Sequence, residues 1–232
     1  MKLLALDTST AVGSLAVMDG SRLMAETTLL ADKKHGEHLV PAIQSLLDRL
    51  GLKPSEIEAY AVGIGPGSFT GLRTGLALVK GLALANPRPV VGVSSLQALA
   101  RSAFEHHGLI LPLIDARKGE IFVATFRADS QGQVVRESAD MALPPEALAG
   151  LIREPALLLG DGLLRYRKIL VETLKENAQI APESLWAPRA VWIANLALRR
   201  LEQGDSDPLD CLVPIYVRAT DAELKLGQKP AR

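Results

Sequence analysis

Two short stretches of the sequence carry residue types that could bind a phosphate or a metal ion. The Gly65–Gly67 loop leads into a stretch with helical periodicity, and glycines before a helix can direct free backbone N–H groups at an anion. The first predicted strand ends at Asp7, Thr8 and Ser9, where the carboxylate could hold magnesium and the hydroxyls could contact phosphate. A turn in which these polar groups satisfy backbone N–H groups explains them equally well. The hairpin that follows offers only Gly13, which weakens the nucleotide-binding interpretation.

The four histidines do not follow a recognisable metal-binding pattern. His35 and His38 lie three residues apart at a predicted helix start, so they could share one face. Two ligands fall short of the three or four that a stable site needs. His106 and His107 are expected in a loop at a helix end, and the sequence has no HExxH, no Gly-x-Ser-x-Gly and no phosphate loop with a lysine. We therefore expect no metal and no catalytic residue.

A second charged cluster lies in the segment IDARKGEIF. Asp115, Arg117 and Glu120 are expected at the mouth of a hairpin, where they could form an ion pair that faces a cleft. A solvated turn is an equally simple interpretation and is slightly favoured, because surface ion pairs are common and contribute little to stability.

The helix predicted after the Gly65–Gly67 loop is apolar nearly all round, with Arg73 and Lys80 as its charged residues. A helix of this kind is buried in a core or in an interface. Glycine in a helix interior costs about 1 kcal/mol relative to alanine, so the glycines here need a packing reason. They form a row of small residues that lets another backbone approach closely: Gly67, Gly71 and Gly75.

The composition is typical of a globular protein, with 232 residues, 48% of them hydrophobic and 22% charged. Lys and Arg number 26, as do Asp and Glu, and a net charge of zero argues against a protein that grips nucleic acid alone. The single cysteine, Cys211, excludes an internal disulfide and a cysteine-based zinc cluster. Asp7 interrupts the apolar N-terminus and no apolar run approaches a membrane span, so we expect a soluble cytoplasmic protein.

The order of predicted elements indicates an α/β fold built from two β-β-β-α-β-α units with mixed sheets. The first unit begins with the strand that ends at Asp7, and the second with the strand that ends at Asp115. In the second unit the next two predicted strands are GEIFVATFRA and GQVVRESADMA. Two similar lobes of this kind are typical of the actin-like ATPase (ASKHA) architecture. We expect lobes at residues 1–106 and 107–232, with the C-terminal segment returning to the first lobe.

Five motifs in this order resemble the bacterial TsaB (YeaZ) family over nearly the whole chain: LALDTST, GIGPGSFTGLRTGLALVKGLA, GVSSLQALA, DARKGEIF and PIYVRATDAE. The resemblance implies a role in adding a threonylcarbamoyl group to N6 of adenosine 37 in tRNAs that read codons beginning with A. It implies a non-catalytic subunit that binds the related catalytic protein TsaD, which is joined by the ATPase TsaE. It also implies no intrinsic cofactor, with ATP or ADP at the complex interface, tRNA bound only through the complex, and a homodimer when the chain is alone.

The resemblance further implies that the helix over residues 68–85 and the preceding helix over residues 36–50 present a face to TsaD. The expected interface residues are Leu39, Ile43, Leu72, Arg73, Leu76, Val79 and Lys80. Asp7, Thr8 and Ser9 would then be a vestigial nucleotide cleft. The alternative is a small ATPase or kinase of the actin-like class that uses Asp7 and the Gly65–Gly67 loop. A peptidase is improbable, because the sequence lacks a metal triad or a nucleophile motif.

Overall fold

The computed structural model describes residues 1–30 and 35–218, without the side chain of residue 35. The expected pairing of His35 with His38, and the part of the C-terminal motif from residue 219 onward, lie outside the described part. The first half of the chain forms these elements: β1 (Lys2–Asp7), β2 (Val12–Asp19), β3 (Arg22–Leu30), α1 (His35–Leu50), β4 (Ala59–Gly65), α2 (Phe69–Ala85), β5 (Val90–Ser94) and α3 (Ser95–Ser102).

The strands of the first half form a mixed sheet in the order β3-β2-β1-β4-β5. β1 is antiparallel to β2 and parallel to β4. Successive side chains of a strand point to opposite faces of the sheet. Leu4 and Leu6 accordingly pack with α1 and α2, whereas Leu3 and Ala5 pack with a helix from the end of the chain. Both faces are covered, which explains why β1 is apolar at every position from Leu3 to Leu6.

The second half repeats this arrangement. Its elements are β6 (Gly108–Arg117), β7 (Glu120–Val123), β8 (Phe126–Ala128), β9 (Val134–Arg136), β10 (Met141–Leu143), α4 (Leu148–Leu151), β11 (Ala156–Leu159), α5 (Gly162–Leu174), β12 (Ala178–Ile180) and α6 (Ala190–Glu202). The main strand order, β10-β7-β6-β11-β12, is again third, second, first, fourth and fifth, and β8 and β9 form an additional hairpin beside β6. The predicted duplication of mixed α/β units is therefore confirmed.

The predicted strand GEIFVATFRA is divided into β7 and β8 because of a proline in its partner strand. β7 pairs Val123 with Leu113 of β6, and β8 pairs Phe126 with Ile110 in the same register. That register places Ala124 opposite Pro112, which has no N–H to donate to the ladder. The strand predicted over GQVVRESADMA is also divided: β9 pairs with β8, and β10 alone supplies the third strand of the sheet.

The last helix of each half packs against the sheet of the other half. α6 lies on the face of the first sheet that carries Leu3 and Ala5. Leu96 and Leu99 of α3 pack with residues of the second sheet such as Ile110. α3 and α6 therefore cross from one half to the other, and the lobe boundary expected at residue 107 stays a prediction.

α2 is pressed against the end of β1 by its glycines. A Cβ atom on Gly71 would lie 2.1 Å from Thr8 O, and one on Gly75 would lie 2.4 Å from Thr8 Oγ1. Gly81 of the same helix is exposed, and a Cβ atom there would meet nothing within 4 Å. The glycine row therefore serves close packing of α2 on the residues after β1, and Gly81 offers a matched control.

Gly71→Ala and Gly81→Ala are expected to change stability in opposite directions. Alanine at 81 should raise the free energy of unfolding by about 0.5–1 kcal/mol, because alanine is the better helix residue. Alanine at 71 should lower it by about 1–3 kcal/mol, because its methyl group would overlap Thr8 O. Urea unfolding followed by circular dichroism measures both values, and equal effects would show that this contact does not require glycine.

Candidate functional site

The carboxylate of Asp7 is completely buried at the carboxyl end of β1. Its Oδ1 accepts hydrogen bonds from Ser9 N at 2.8 Å and Ser9 Oγ at 2.6 Å, and its Oδ2 accepts one from Ser95 Oγ at 2.6 Å. A Cβ atom on Gly63 would lie 1.9 Å from Asp7 Oδ2, so only glycine leaves room for this carboxylate. The donors come from the turn after β1 and from the start of α3, and Asp7 therefore ties these two segments together.

The hydroxyl groups beside Asp7 are also used within the chain. Thr8 Oγ1 donates to Gly71 O at 2.8 Å, and Ser68 N donates to Ser9 O at 2.7 Å. Thr8 and Ser9 are at most 1% exposed. The residues predicted as a phosphate or magnesium site therefore lie under the N-terminal turn of α2, in contacts that stabilise the turn.

The second hairpin carries Asp115 at the corresponding place, near the end of β6. Its carboxylate accepts a hydrogen bond from Arg117 N at 2.8 Å and forms an ion pair with the Arg117 guanidinium at 3.3 Å. Tyr166 Oη lies 3.4 Å from Asp115 Oδ1, at the limit of a hydrogen bond. Asp115 and Arg117 of the predicted charged cluster form an ion pair, and the Arg117 side chain is 73% exposed. Glu120 pairs elsewhere, with Arg218.

Asp161, at the start of α5, joins this cluster. Its Oδ1 accepts a hydrogen bond from Asp115 N at 3.0 Å. The pKa of the Asp161 carboxyl is raised to about 6, mainly by burial and also by the negative charges of Asp115 and Asp7, against the opposing effect of the Asp115 N–H group and Arg117. Asp115 and Asp161 are therefore neighbours, and Asp7 lies near enough for its charge to raise the pKa of Asp161. Asp161 was not among the site residues predicted from the sequence, although ALLLGDG repeats the strand-to-glycine pattern of AVGIGPG.

The predicted interface residues fall into two groups. Arg73 is exposed and Lys80 is partly exposed. The five aliphatic side chains are at most 6% exposed: Leu39, Ile43, Leu72, Leu76 and Val79. Four of them belong to one core cluster of the chain itself, and the fifth, Leu72, is 0% exposed. The expectation that these five contact a partner is corrected, because the first sheet and the facing helix already cover them.

Exposed apolar residues nevertheless occur on the same two helices. Val40 of α1 is 57% exposed, and Phe69 and Leu84 of α2 are 39% and 73% exposed. A cavity of about 90 Å³ lies between the helices, lined by Val40, Leu78 and Leu82 among others. The outward face of α2 runs through Phe69, Arg73, Ala77, Gly81 and Leu84, and we call these five residues the α2 stripe.

Among residues 1–30 and 36–218, His, Cys, Asp and Glu side chains form no group of three that could hold a metal ion. Within the same part of the chain, every helix is too short or too polar to cross a bilayer.

Asp161→Asn is expected to remove a pH dependence of stability. The folded-state pKa of about 6 lies above the ordinary value of 3.8, so the folded state binds more protons than the unfolded state between these values. Wild-type stability should therefore fall as pH rises from about 4 to 6. The asparagine variant should be about 3 kcal/mol more stable than wild type at pH 7.5 and close to it at pH 4. Urea unfolding across this range measures the effect, and parallel profiles would contradict it.

The comparisons with known proteins agree with this architecture. A family profile described as TsaD, tRNA N6-adenosine threonylcarbamoyltransferase, matches residues 29–226. The tRNA threonylcarbamoyladenosine biosynthesis protein TsaB of Haemophilus influenzae is 31% identical, over 94% of this chain and 94% of its own length. The solved structure of YeaZ from Pseudomonas aeruginosa is 31% identical with a TM-score of 0.80, over 93% of this chain and 99% of that chain.

A more distant structure shares the fold alone. The activator of the 2-hydroxyisocaproyl-CoA dehydratase from Clostridium difficile, solved with bound ADPNP, is 11% identical with a TM-score of 0.51, over 88% of this chain and 97% of that chain. The predicted actin-like two-lobe fold is thereby confirmed, and so is the predicted family. The chain belongs to the TsaB (YeaZ) family, within the wider threonylcarbamoyltransferase family described as TsaD.

Proposed function

We propose that this chain is a non-catalytic subunit in the biosynthesis of tRNA threonylcarbamoyladenosine. Relatives at similar length are named for that biosynthesis, and the family profile is named for the transferase. In this proposal the chain supports a TsaD-type subunit, which transfers the threonylcarbamoyl group to adenosine 37. The tRNA is then bound by the complex rather than by this chain alone.

One observation carries the non-catalytic role: the closed packing around Asp7. A magnesium or nucleotide site needs an acid and backbone donors that face a ligand. Here Asp7 is buried and accepts hydrogen bonds from Ser9 and Ser95. The residues that follow it are covered by Gly71 and Gly75, with no space for even a Cβ atom. This packing supports a structural rather than a catalytic role for the first hairpin.

The alternative is a small actin-like ATPase or kinase that uses Asp7 and the Gly65–Gly67 loop. A Cβ atom on Gly67 would lie 2.3 Å from Ser9 O, and one on Gly65 would lie 2.7 Å from Leu72 Cδ1. The loop is thus packed against the chain itself, which counts against a phosphate cradle. The carboxylates of Asp115 and Asp161 are the remaining argument for this alternative.

The partner surface in this proposal is the α2 stripe together with Val40 of α1. Ala77 and Gly81 leave the middle of the stripe nearly flat, so another helix can approach closely, and Arg73 and Leu84 lie on either side. Exposed apolar patches on proteins often mark docking surfaces. Arg73 Cζ lies 4.1 Å from the centre of the Phe69 ring, so the guanidinium makes a cation–π contact. Arginine is one of the residue types enriched at the energetic centres of interfaces.

The α2 stripe also serves as the homodimer surface in this proposal. In the absence of the TsaD-type subunit, two copies of the chain pair through it as a symmetric homodimer. TsaE joins the heterodimer, and ATP or ADP is held at the complex interface rather than by this chain alone. Lys80 lies next to the α2 stripe and belongs to the proposed surface.

The isolated chain is expected neither to bind nor to hydrolyse ATP. The closed packing around Asp7 leaves no donors for the phosphates, so calorimetry with magnesium-ATP at millimolar concentration should give no saturable heat. Steady phosphate release should not exceed the buffer rate. Saturable binding together with phosphate release that tracks the purified chain would support the ATPase instead.

Leu84→Glu is expected to abolish co-elution with the TsaD-type subunit and to reduce tRNA modification in the reconstituted system by at least tenfold. A charge placed in an apolar contact loses hydration without gaining a partner, and each 1.4 kcal/mol changes affinity about tenfold. Leu84 is 73% exposed, so the variant should fold.

Leu164→Glu is the matched control, because Leu164 is 76% exposed and lies on α5, in the second half of the chain and outside the α2 stripe. It should leave co-elution, modification and melting unchanged. Full binding by a folded Leu84→Glu variant, or equal losses in both variants, would refute the α2 stripe as the partner surface. Leu76→Glu cannot serve in this test, because Leu76 is a core residue and the variant is expected to unfold.

A further inference from the structure

Residues 207–218 form no helix or strand, yet they are anchored along their length; we call them the clasp. At one end, Asp207 N donates to Val90 O at 2.8 Å, and Asp207 Oδ2 accepts from Gly92 N at 2.7 Å. Arg200 of α6 forms an ion pair with the same carboxylate at 2.9 Å. This end of the clasp is therefore fixed to β5 and α6.

The middle of the clasp crosses the carboxyl ends of β4 and β5. Leu212 packs in the core between the first sheet and its helices, and its Cδ1 lies 2.6 Å from where a Cβ atom of Gly92 would be. Ile215 N donates to Ile64 O at 2.8 Å, one residue before β4 ends. In open α/β sheets the crevice at the carboxyl ends of the strands is where ligands bind. Part of that crevice is filled by the chain itself.

The far end of the clasp contacts two different parts of the molecule. Tyr216 Oη accepts a hydrogen bond from Arg73 Nε at 3.1 Å, and its ring lies 5.5 Å from the ring of Phe69. Two residues later, Arg218 forms an ion pair with Glu120 at 2.5 Å and donates to Ala116 O at 2.9 Å. Between them, Val217 packs against the core of the second sheet.

We propose that the clasp couples the start of α2 to the β6–β7 hairpin, so that displacement of Tyr216 at α2 loosens Arg218 at the hairpin. The hairpin carries Asp115, which lies with Asp161 between the lobes. The clasp is thus a mechanical connection between the α2 stripe and the interlobe carboxylates. This inference goes beyond the proposed function and does not depend on it, because the connection lies within one chain.

Hydrogen–deuterium exchange of the full isolated chain tests the Arg218 anchor. Arg218→Ala removes the ion pair and the hydrogen bond to Ala116 O. Exchange should become about tenfold faster in residues 115–121 and 213–217, which corresponds to about 1.4 kcal/mol of local opening free energy. The β2 and β3 strands should exchange at the wild-type rate.

Arg127→Ala is the matched control. Arg127 also pairs with exposed carboxylates, those of Glu137 and Glu154, but none of these three residues lies in the clasp or in residues 115–121. This variant should leave exchange in residues 115–121 and 213–217 unchanged. Unchanged exchange in Arg218→Ala, or the same increase in both variants, would overturn the anchor.

Tyr216→Phe tests the coupling itself. It removes the hydrogen bond with Arg73 and leaves Arg218 and its partners in place. Under the proposal, exchange rises severalfold in residues 115–121 as well as in residues 213–217. Faster exchange confined to residues 213–217 would mean that the clasp holds each end separately, and the coupling would be wrong. Neither variant requires a partner, so failure here leaves the proposed function standing.

Discussion

The buried carboxylate of Asp7 is the constraint on which the first lobe depends. A carboxylate without solvent must be satisfied by donors from the chain, and here Ser9 and Ser95 supply them. These donors fix the turn after β1 and the start of α3 around one point. The close approach of β4 and α2 to the same point is permitted by Gly63 and by the glycine row, since any larger residue would displace the backbone.

This constraint separates two surfaces that an actin-like fold can use. The first hairpin is closed over by α2, and the outward face of that helix remains exposed, with Arg73 and Leu84 on it. The second hairpin is more open, because the Arg117 side chain at its mouth is largely exposed. The clasp runs between them, from the α2 side at Tyr216 to the hairpin at Glu120. The closed packing of the first hairpin supports the proposal that this chain assists a partner rather than performing nucleotide chemistry.

The elements that could be predicted from the sequence are those with strong local patterns. The apolar run before Asp7 and the repeated strand order were found, and the glycines were correctly assigned to packing. The exposed face of α2 was misassigned, because the helix is apolar on both sides and periodicity does not say which stripe meets the sheet. The division of the strand after Glu120 depends on Pro112 in the partner strand, and the role of Asp161 depends on Asp115, so both become visible only in three dimensions.

A structural role of Asp7 can be tested by measuring tRNA modification in a reconstituted complex that contains Asp7→Asn. The amide is nearly the same size as the carboxylate. Its oxygen can still accept the hydrogen bonds from Ser9, and its NH2 group can donate to Ser95 Oγ once that hydroxyl turns, so a structural Asp7 tolerates it. If Asp7 is structural, modification should stay within about twofold of wild type when the variant folds and binds its partner, whereas omission of the chain abolishes modification. A loss of about a hundredfold or more, with folding and partner binding intact, is the size expected for a catalytic group and would contradict a structural role of Asp7.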